Sequence, residues 1–170
     1  IHCLCSIFSK TKIKQELKPN WLIIKEWLLK YHGLYITNRQ IGKTKALLEI
    51  LKEDPHTFLV VHSEICAQTL RNRIKKEYDP FFHDDMCNKI VSYYTYNKWN
   101  VLETCKNYNE IKFYFDEYFY LGGEIPANFV GAVSSMKFPV KIERFISPKM
   151  GRFLSFETNR NQLDEYMEFE

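Results

Sequence analysis

A chain of 170 residues with 45% hydrophobic, 16% aromatic and 26% charged side chains has the size and composition of one globular domain with its own core. Its aromatic content excludes disorder as the main state, and no apolar run approaches the roughly 18 residues of a membrane span. A net charge of +3, from 24 Lys and Arg against 21 Asp and Glu, neither marks nor forbids a nucleic-acid partner.

The chain starts at Ile1, so it is expected to be trimmed or part of a longer protein, and residues 1–14 read as an N-terminal extension without signal-peptide character. His2, Cys3 and Cys5 lie close together, but no second ligand pair at zinc spacing follows. Residues 15–31 are expected to form a helix with an apolar stripe of Trp21, Leu22, Ile24, Leu28 and Leu29 and with Asn20 as a cap. Gly33 stops it, and Leu34-Tyr35-Ile36 reads as a short apolar strand. The segment Thr37-Asn38-Arg39-Gln40-Ile41-Gly42-Lys43-Thr44 follows, then a helix burying Ala46, Leu47, Leu48, Ile50 and Leu51 until Asp54-Pro55.

Residues 57–62 form an apolar run of strand length, suited to burial on both faces in a parallel sheet. Ser63 caps a second helix reaching about Tyr78, and Asp79-Pro80 break it. Residues 89–96 read as a strand, and 99–107 as a short helix or loop. Residues 111–115 give another strand ending in Asp116-Glu117, and 129–134 a further one ending in Ser134-Ser135. Residues 141–146 are expected to turn through 147–151 into a return strand at 152–156. The C-terminal residues 158–170 are polar and acidic and read as a frayed helix. Strands alternating with helices predict an α/β fold: a mainly parallel central sheet sandwiched by helices, with an antiparallel hairpin at its C-terminal edge.

Gly42-Lys43-Thr44 lies between an apolar strand and an apolar-faced helix. That is the setting in which loop N–H groups and a helix N-terminus cradle phosphates. Lys43 would reach the β- and γ-phosphates, and the Thr44 hydroxyl would bind Mg²⁺. The strict phosphate-loop pattern wants a glycine where Thr37 stands. Asp116, at the end of a buried strand, can hold Mg²⁺, and Glu117 beside it can take a proton from an attacking water.

These residues, in this order, resemble the P-loop NTPases of the branch with an extra catalytic glutamate. Within that branch, residues 38–44 look like the loop of terminase-type viral DNA-packaging motors, which often reads Arg-Gln-x-Gly-Lys-Ser/Thr and also lacks the first glycine. The resemblance covers about residues 17–147. It makes Asp116 the Walker B aspartate, Glu117 the catalytic glutamate and Ser134 or Ser135 a sensor of the γ-phosphate. Arg39 becomes a ligand of that phosphate which stabilises developing charge. Asn38, Gln40 and Ile41 complete the nucleotide-binding loop with Gly42, Lys43 and Thr44.

The resemblance therefore implies a single P-loop ATPase domain over 1–170, with ATP and Mg²⁺ as ligands. It implies hydrolysis driving translocation of double-stranded DNA by a homo-oligomeric ring, with capsid or portal proteins as partners. Five scattered cysteines fit a reduced, intracellular setting, the cytoplasm or nucleus of an infected host cell if the source is viral. The family's adenine-reading glutamine upstream of the loop is replaced by residues 17–21, leaving Asn20 and Trp21 as candidates for base contact. These 170 residues leave no length for the nuclease domain of the full motors, so the chain is expected to be either the ATPase part alone or a minimal motor that cuts no DNA.

Three alternatives stay open: the first motor domain of a helicase, a nucleotide or small-molecule kinase, and a degenerate P-loop module kept for assembly. Arg71, Arg73, Lys75 and Lys76 read chiefly as a solvated helix face. Arg144 and Arg152 are candidates for a finger acting across subunits. Tyr93, Tyr94, Tyr96 and Trp99 form an aromatic cluster better suited to packing than to base stacking, and His62 reads as a strand-end residue rather than a base.

Overall fold

The computed structural model describes residues 18–31, 33–98, 110–117, 128–135, 146–147, 151–152, 154–158 and 160–163. In chain order the elements are α1 (Asn20–Lys30), β1 (Gly33–Ile36), α2 (Lys43–Glu53), β2 (Thr57–Val61), α3 (Glu64–Glu77), a 3₁₀ turn (Pro80–Phe82), α4 (His83–Asn88), β3 (Ile90–Ser92), α5 (Tyr93–Lys98), β4 (Lys112–Asp116), β5 (Phe129–Ser134), β6 (Ile146–Ser147), β7 (Gly151–Arg152) and β8 (Leu154–Glu157). Six strands form one sheet in the order β3-β2-β4-β5-β1-β8. Every neighbouring pair in it is parallel. Strands β6 and β7 form a separate antiparallel pair.

A parallel sheet covered on both faces needs apolar residues at consecutive positions. All of β1 and β5 is buried accordingly. Alternation divides most side chains between two layers, and a register shift of β5 against β4 puts both Val130 and Val133 on one of them. Tyr35, Leu59, Val61, Tyr114, Val130 and Val133 face the larger layer, built with α1, α2, α3 and α4. Leu34, Ile36, Val60, Val91, Phe113, Phe115 and Ala132 face the other, where Tyr93 and Tyr96 of α5 pack. The helices thus flank an α/β sheet, as expected. Gly131 is required by close packing, since a Cβ there would meet the Tyr114 ring at 3.0 Å and the Gly33 carbonyl at 3.2 Å.

Helix α2 packs beside α1 and against β2, β4 and β5, and its C-terminal end is held by a buried cation. Lys89 is 5% exposed and donates to the carbonyls of Leu51 (2.5 Å) and Asp54 (2.9 Å), while pairing with Asp85 at 3.0 Å. A lysine there satisfies orphan carbonyls and complements the negative end of the helix dipole.

Several expectations are corrected. Residues 89–96 do not form one strand: β3 stops at Ser92, whose Oγ accepts from the Thr95 N–H (3.2 Å) and caps α5. The C-terminal hairpin is confined to β6 and β7, and the sheet edge is instead the parallel strand β8. Asn20 is not the cap of α1; Pro19 holds that position, and Leu29 is 52% exposed. Residues 160–163 are irregular rather than helical, and Leu163 is buried against the core. The expected helix or loop at 99–107 and the metal candidates His2, Cys3 and Cys5 lie outside the described residues.

Candidate active site

Strands β1, β4 and β5 are neighbours, so their carboxyl ends deliver the residues 37–44, 116–117 and 134–135 to one rim of the sheet. A cleft of about 700 Å³ opens there. It is lined by residues 39–45 of the loop and α2, together with Arg73, Glu117 and Ser135.

The loop's shape is set by two residues in the left-handed region, Gln40 (φ 58°) and Gly42 (φ 107°). Such reversals turn successive N–H groups toward one side, forming an anion-binding concavity. Gly42 is also the N-cap of α2, and no side chain caps that first turn. The unpaired N–H groups of an 11-residue helix therefore face the cleft with the positive end of its dipole. Gly42 has a second constraint: a Cβ would lie 2.9 Å from the Trp21 Cβ. Gly42→Ala thus combines a backbone penalty of about 1–3 kcal/mol with a clash. The expected result is a lower melting temperature together with weakened phosphate binding, read by thermal unfolding and by equilibrium dialysis with a triphosphate analogue.

Lys43 does not project into the open cleft. It is 5% exposed and donates to the carbonyl of Thr37 at 3.0 Å and to that of Asn38. Burial pulls its ammonium below the usual lysine range. Glu117 and Asp116 oppose that shift, and Arg39 adds to it. The two carbonyls hold the cation where an anion's oxygens can replace them.

Thr44 Oγ1 donates to Asp116 Oδ2 at 3.1 Å, joining the start of α2 to the end of β4 across 72 residues. Burial is the main reason that the Asp116 carboxyl is pushed up to about 6. The Thr44 hydrogen bond lowers it, Glu117 raises it further, and Lys43 and Arg73 lower it. A hydroxyl and a carboxylate side by side are hard oxygen donors, which fit Mg²⁺.

The raised Asp116 value has a consequence for stability. The carboxyl's ordinary value is 3.8 and its folded value about 6. Its contribution is fully present below 3.8 and is lost as pH rises through 6, so the ionised group destabilises the metal-free protein at pH 7–8. Asp116→Asn is expected to raise stability there by about 1–3 kcal/mol. Thermal melts from pH 4 to 8 check this, with the gain vanishing at the acid end.

Glu117 sits just beyond β4 in the left-handed region (φ 55°) and is exposed. Its two carboxylate oxygens accept from the Ser135 N–H (3.1 Å) and the Ser135 hydroxyl (2.7 Å). The serine facing the cleft is therefore Ser135. Ser134, expected as a nucleotide contact, is 1% exposed within β5, and its carbonyl accepts from Thr37 N–H at 3.1 Å. The strand's period of two sends adjacent side chains to opposite sides.

Arg39, Gln40 and Ile41 line the cleft as expected. Asn38 instead turns its amide to Asn161 (3.2 Å). Asn20 donates to the Asn161 carbonyl (2.7 Å) and accepts from the Leu163 N–H (3.0 Å), so its amide is engaged by the C-terminal segment. Trp21 packs under Gly42, with Lys45 Nζ 5.3 Å from its ring centroid.

The sequence placed Arg73 on a solvated face, yet it lines the cleft. Its neighbour Arg71 points elsewhere, donating to the Ile90 carbonyl (2.9 Å) and to Glu64 (2.9 Å). Tyr96 packs edge-on against Phe113 and Phe115, in agreement with a packing role. Arg144 lies outside the described residues, and Arg152 stands in β7. Among the described residues no helix is long and apolar enough to cross a membrane. No protein-family model, curated protein or solved structure matches this chain.

Proposed function

We propose that the protein is a Mg²⁺-dependent nucleoside triphosphatase acting on ATP. The observation that carries this reading is the Thr44–Asp116 hydrogen bond, which ties an uncapped phosphate-cradling helix start to an acidic strand end. Loop N–H groups and Lys43 bind the phosphates. Thr44 and Asp116 would hold Mg²⁺, which when bound neutralises charge on the β- and γ-phosphate oxygens. Arg39 lines the same cleft and stabilises the negative charge that develops on the terminal phosphate. Glu117 accepts a proton from water as that water's oxygen bonds to the γ-phosphorus. The bond from that phosphorus to the β–γ bridging oxygen breaks, and ADP leaves with the electron pair.

Coupling of this reaction to double-stranded DNA, in a ring of subunits that engages capsid or portal proteins, rests on the likeness of residues 38–44 to packaging motors. Phosphate release from ATP with Mg²⁺, measured with and without double-stranded DNA, tests both levels. Turnover raised by DNA supports a DNA-driven motor. Turnover indifferent to DNA removes the translocation reading and leaves the triphosphatase. Absence of ATP binding sinks the whole assignment in favour of a degenerate module.

A further inference from the structure

Of the residues lining the cleft, those outside the loop and α2 are Arg73, Glu117 and Ser135. Glu117 and Ser135 are bonded to each other. Arg73 is the single cation brought to the cleft from α3, and it lies near enough to Asp116 for its charge to act on that carboxyl.

Arg73 is held only lightly there. Its Nε donates to Glu77 Oε2 at 3.1 Å, with the two side chains 35% and 46% exposed. An arginine four residues before a glutamate on a helix is the less favourable order of such a pair, because it opposes the helix dipole. The bond uses one of the five guanidinium N–H donors, in a fork suited to phosphate oxygens. A terminal phosphate beside Glu117 presents more negative charge than Glu77 does and offers several oxygens to the guanidinium fork. The balance therefore favours exchange of partners when a triphosphate enters.

We propose that Arg73 is a γ-phosphate ligand acting within its own subunit, parked on Glu77 in the nucleotide-free protein, and that it distinguishes triphosphate from diphosphate. This rests on the triphosphatase reading of the same cleft. Arg73 would add to Arg39 a second guanidinium on the transferred group, brought by helix α3.

The test compares wild type, Arg73→Ala and Arg73→Lys in two measurements: affinity for ADP and for a non-hydrolysable ATP analogue, and phosphate release in a single turnover. Arg73→Ala is expected to slow release on the order of 10²–10³-fold, the size of loss seen when one transition-state donor is removed. It is also expected to narrow the preference for triphosphate several-fold, Lys43 and Arg39 retaining the rest, while ADP affinity stays as in wild type, with Arg73→Lys between the two. Unchanged release and preference would overturn the proposal, as would a parallel loss of ADP affinity, which marks a structural role. Mixing Arg73→Ala with Lys43→Ala protein separates the routes of delivery. No recovery of turnover is expected, and recovery would assign the arginine to a neighbour's site. Wild-type protein that binds neither nucleotide would overturn the parent reading rather than the role of Arg73 alone.

Discussion

Lys43→Ala is expected to abolish ATP turnover and to weaken triphosphate binding by on the order of 10²-fold or more, from the loss of a charge-assisted contact to phosphate within a partly dry site. The fold should survive. The ammonium is buried at a free-energy cost that its two carbonyl partners only partly offset. Removing it leaves the Thr37 and Asn38 carbonyls beside a cleft of about 700 Å³, where water can reach them. Isothermal titration with a triphosphate analogue, paired with a thermal melt, separates lost binding from lost structure. Normal affinity in a folded variant would remove the loop from the phosphate site.

Glu117→Gln is expected to keep nucleotide bound and to slow hydrolysis by about 10²–10⁴-fold, the usual worth of a positioned general base. The amide is close in shape to the carboxylate. Its oxygen can still accept from the Ser135 N–H, and its NH₂ can donate to the Ser135 hydroxyl oxygen, so the side chain keeps its position. What it loses is the capacity to take a proton. Rapid-quench measurement of a single turnover, with binding measured in parallel, checks this. Wild-type rates in the variant would move water activation to another group.

The sequence exposed most of the sheet because buried parallel strands leave unbroken apolar runs, as at residues 57–61 and 129–134. Ser63 was a readable helix start, and its Oγ accepts from the Cys66 N–H at 3.2 Å. The break at Ser92 carried the same kind of signal, a hydroxyl that caps the helix after it. The β propensity of Tyr93, Tyr94 and Tyr96 hid it. Packing won there, because two of those rings cover the sheet face at Phe113 and Phe115 from a helix. The meeting of residues 43–44 with residues 116–117 was legible because each pair follows directly from a strand–loop–helix step or a strand end. The choice between Ser134 and Ser135 needed the last residue of β5 to be known. Arg73 was hidden because α3 carries cations around much of its surface, so only the docking of α3 on the sheet decides which of them meets the cleft.

Strand β1, which leads into the loop of the candidate site, is flanked by β5 and β8, with Gly33–Ile36 in register with Leu154–Glu157. During synthesis from the N-terminus, the first of these neighbours to emerge is more than half the chain away, and the second is later still. Until residue 134 has been made, β1 has neither partner, and until residue 157 it keeps one edge open to other chains. Local helices and the β2–β3 pair can form early, but the strand that presents the loop is completed among the last, since pairing over such separations must first meet its loop-closure entropy. The segment 37–44 is thus written ahead of both strands that flank β1 and positioned late, and the ribosome-bound chain carries it on an unfinished sheet.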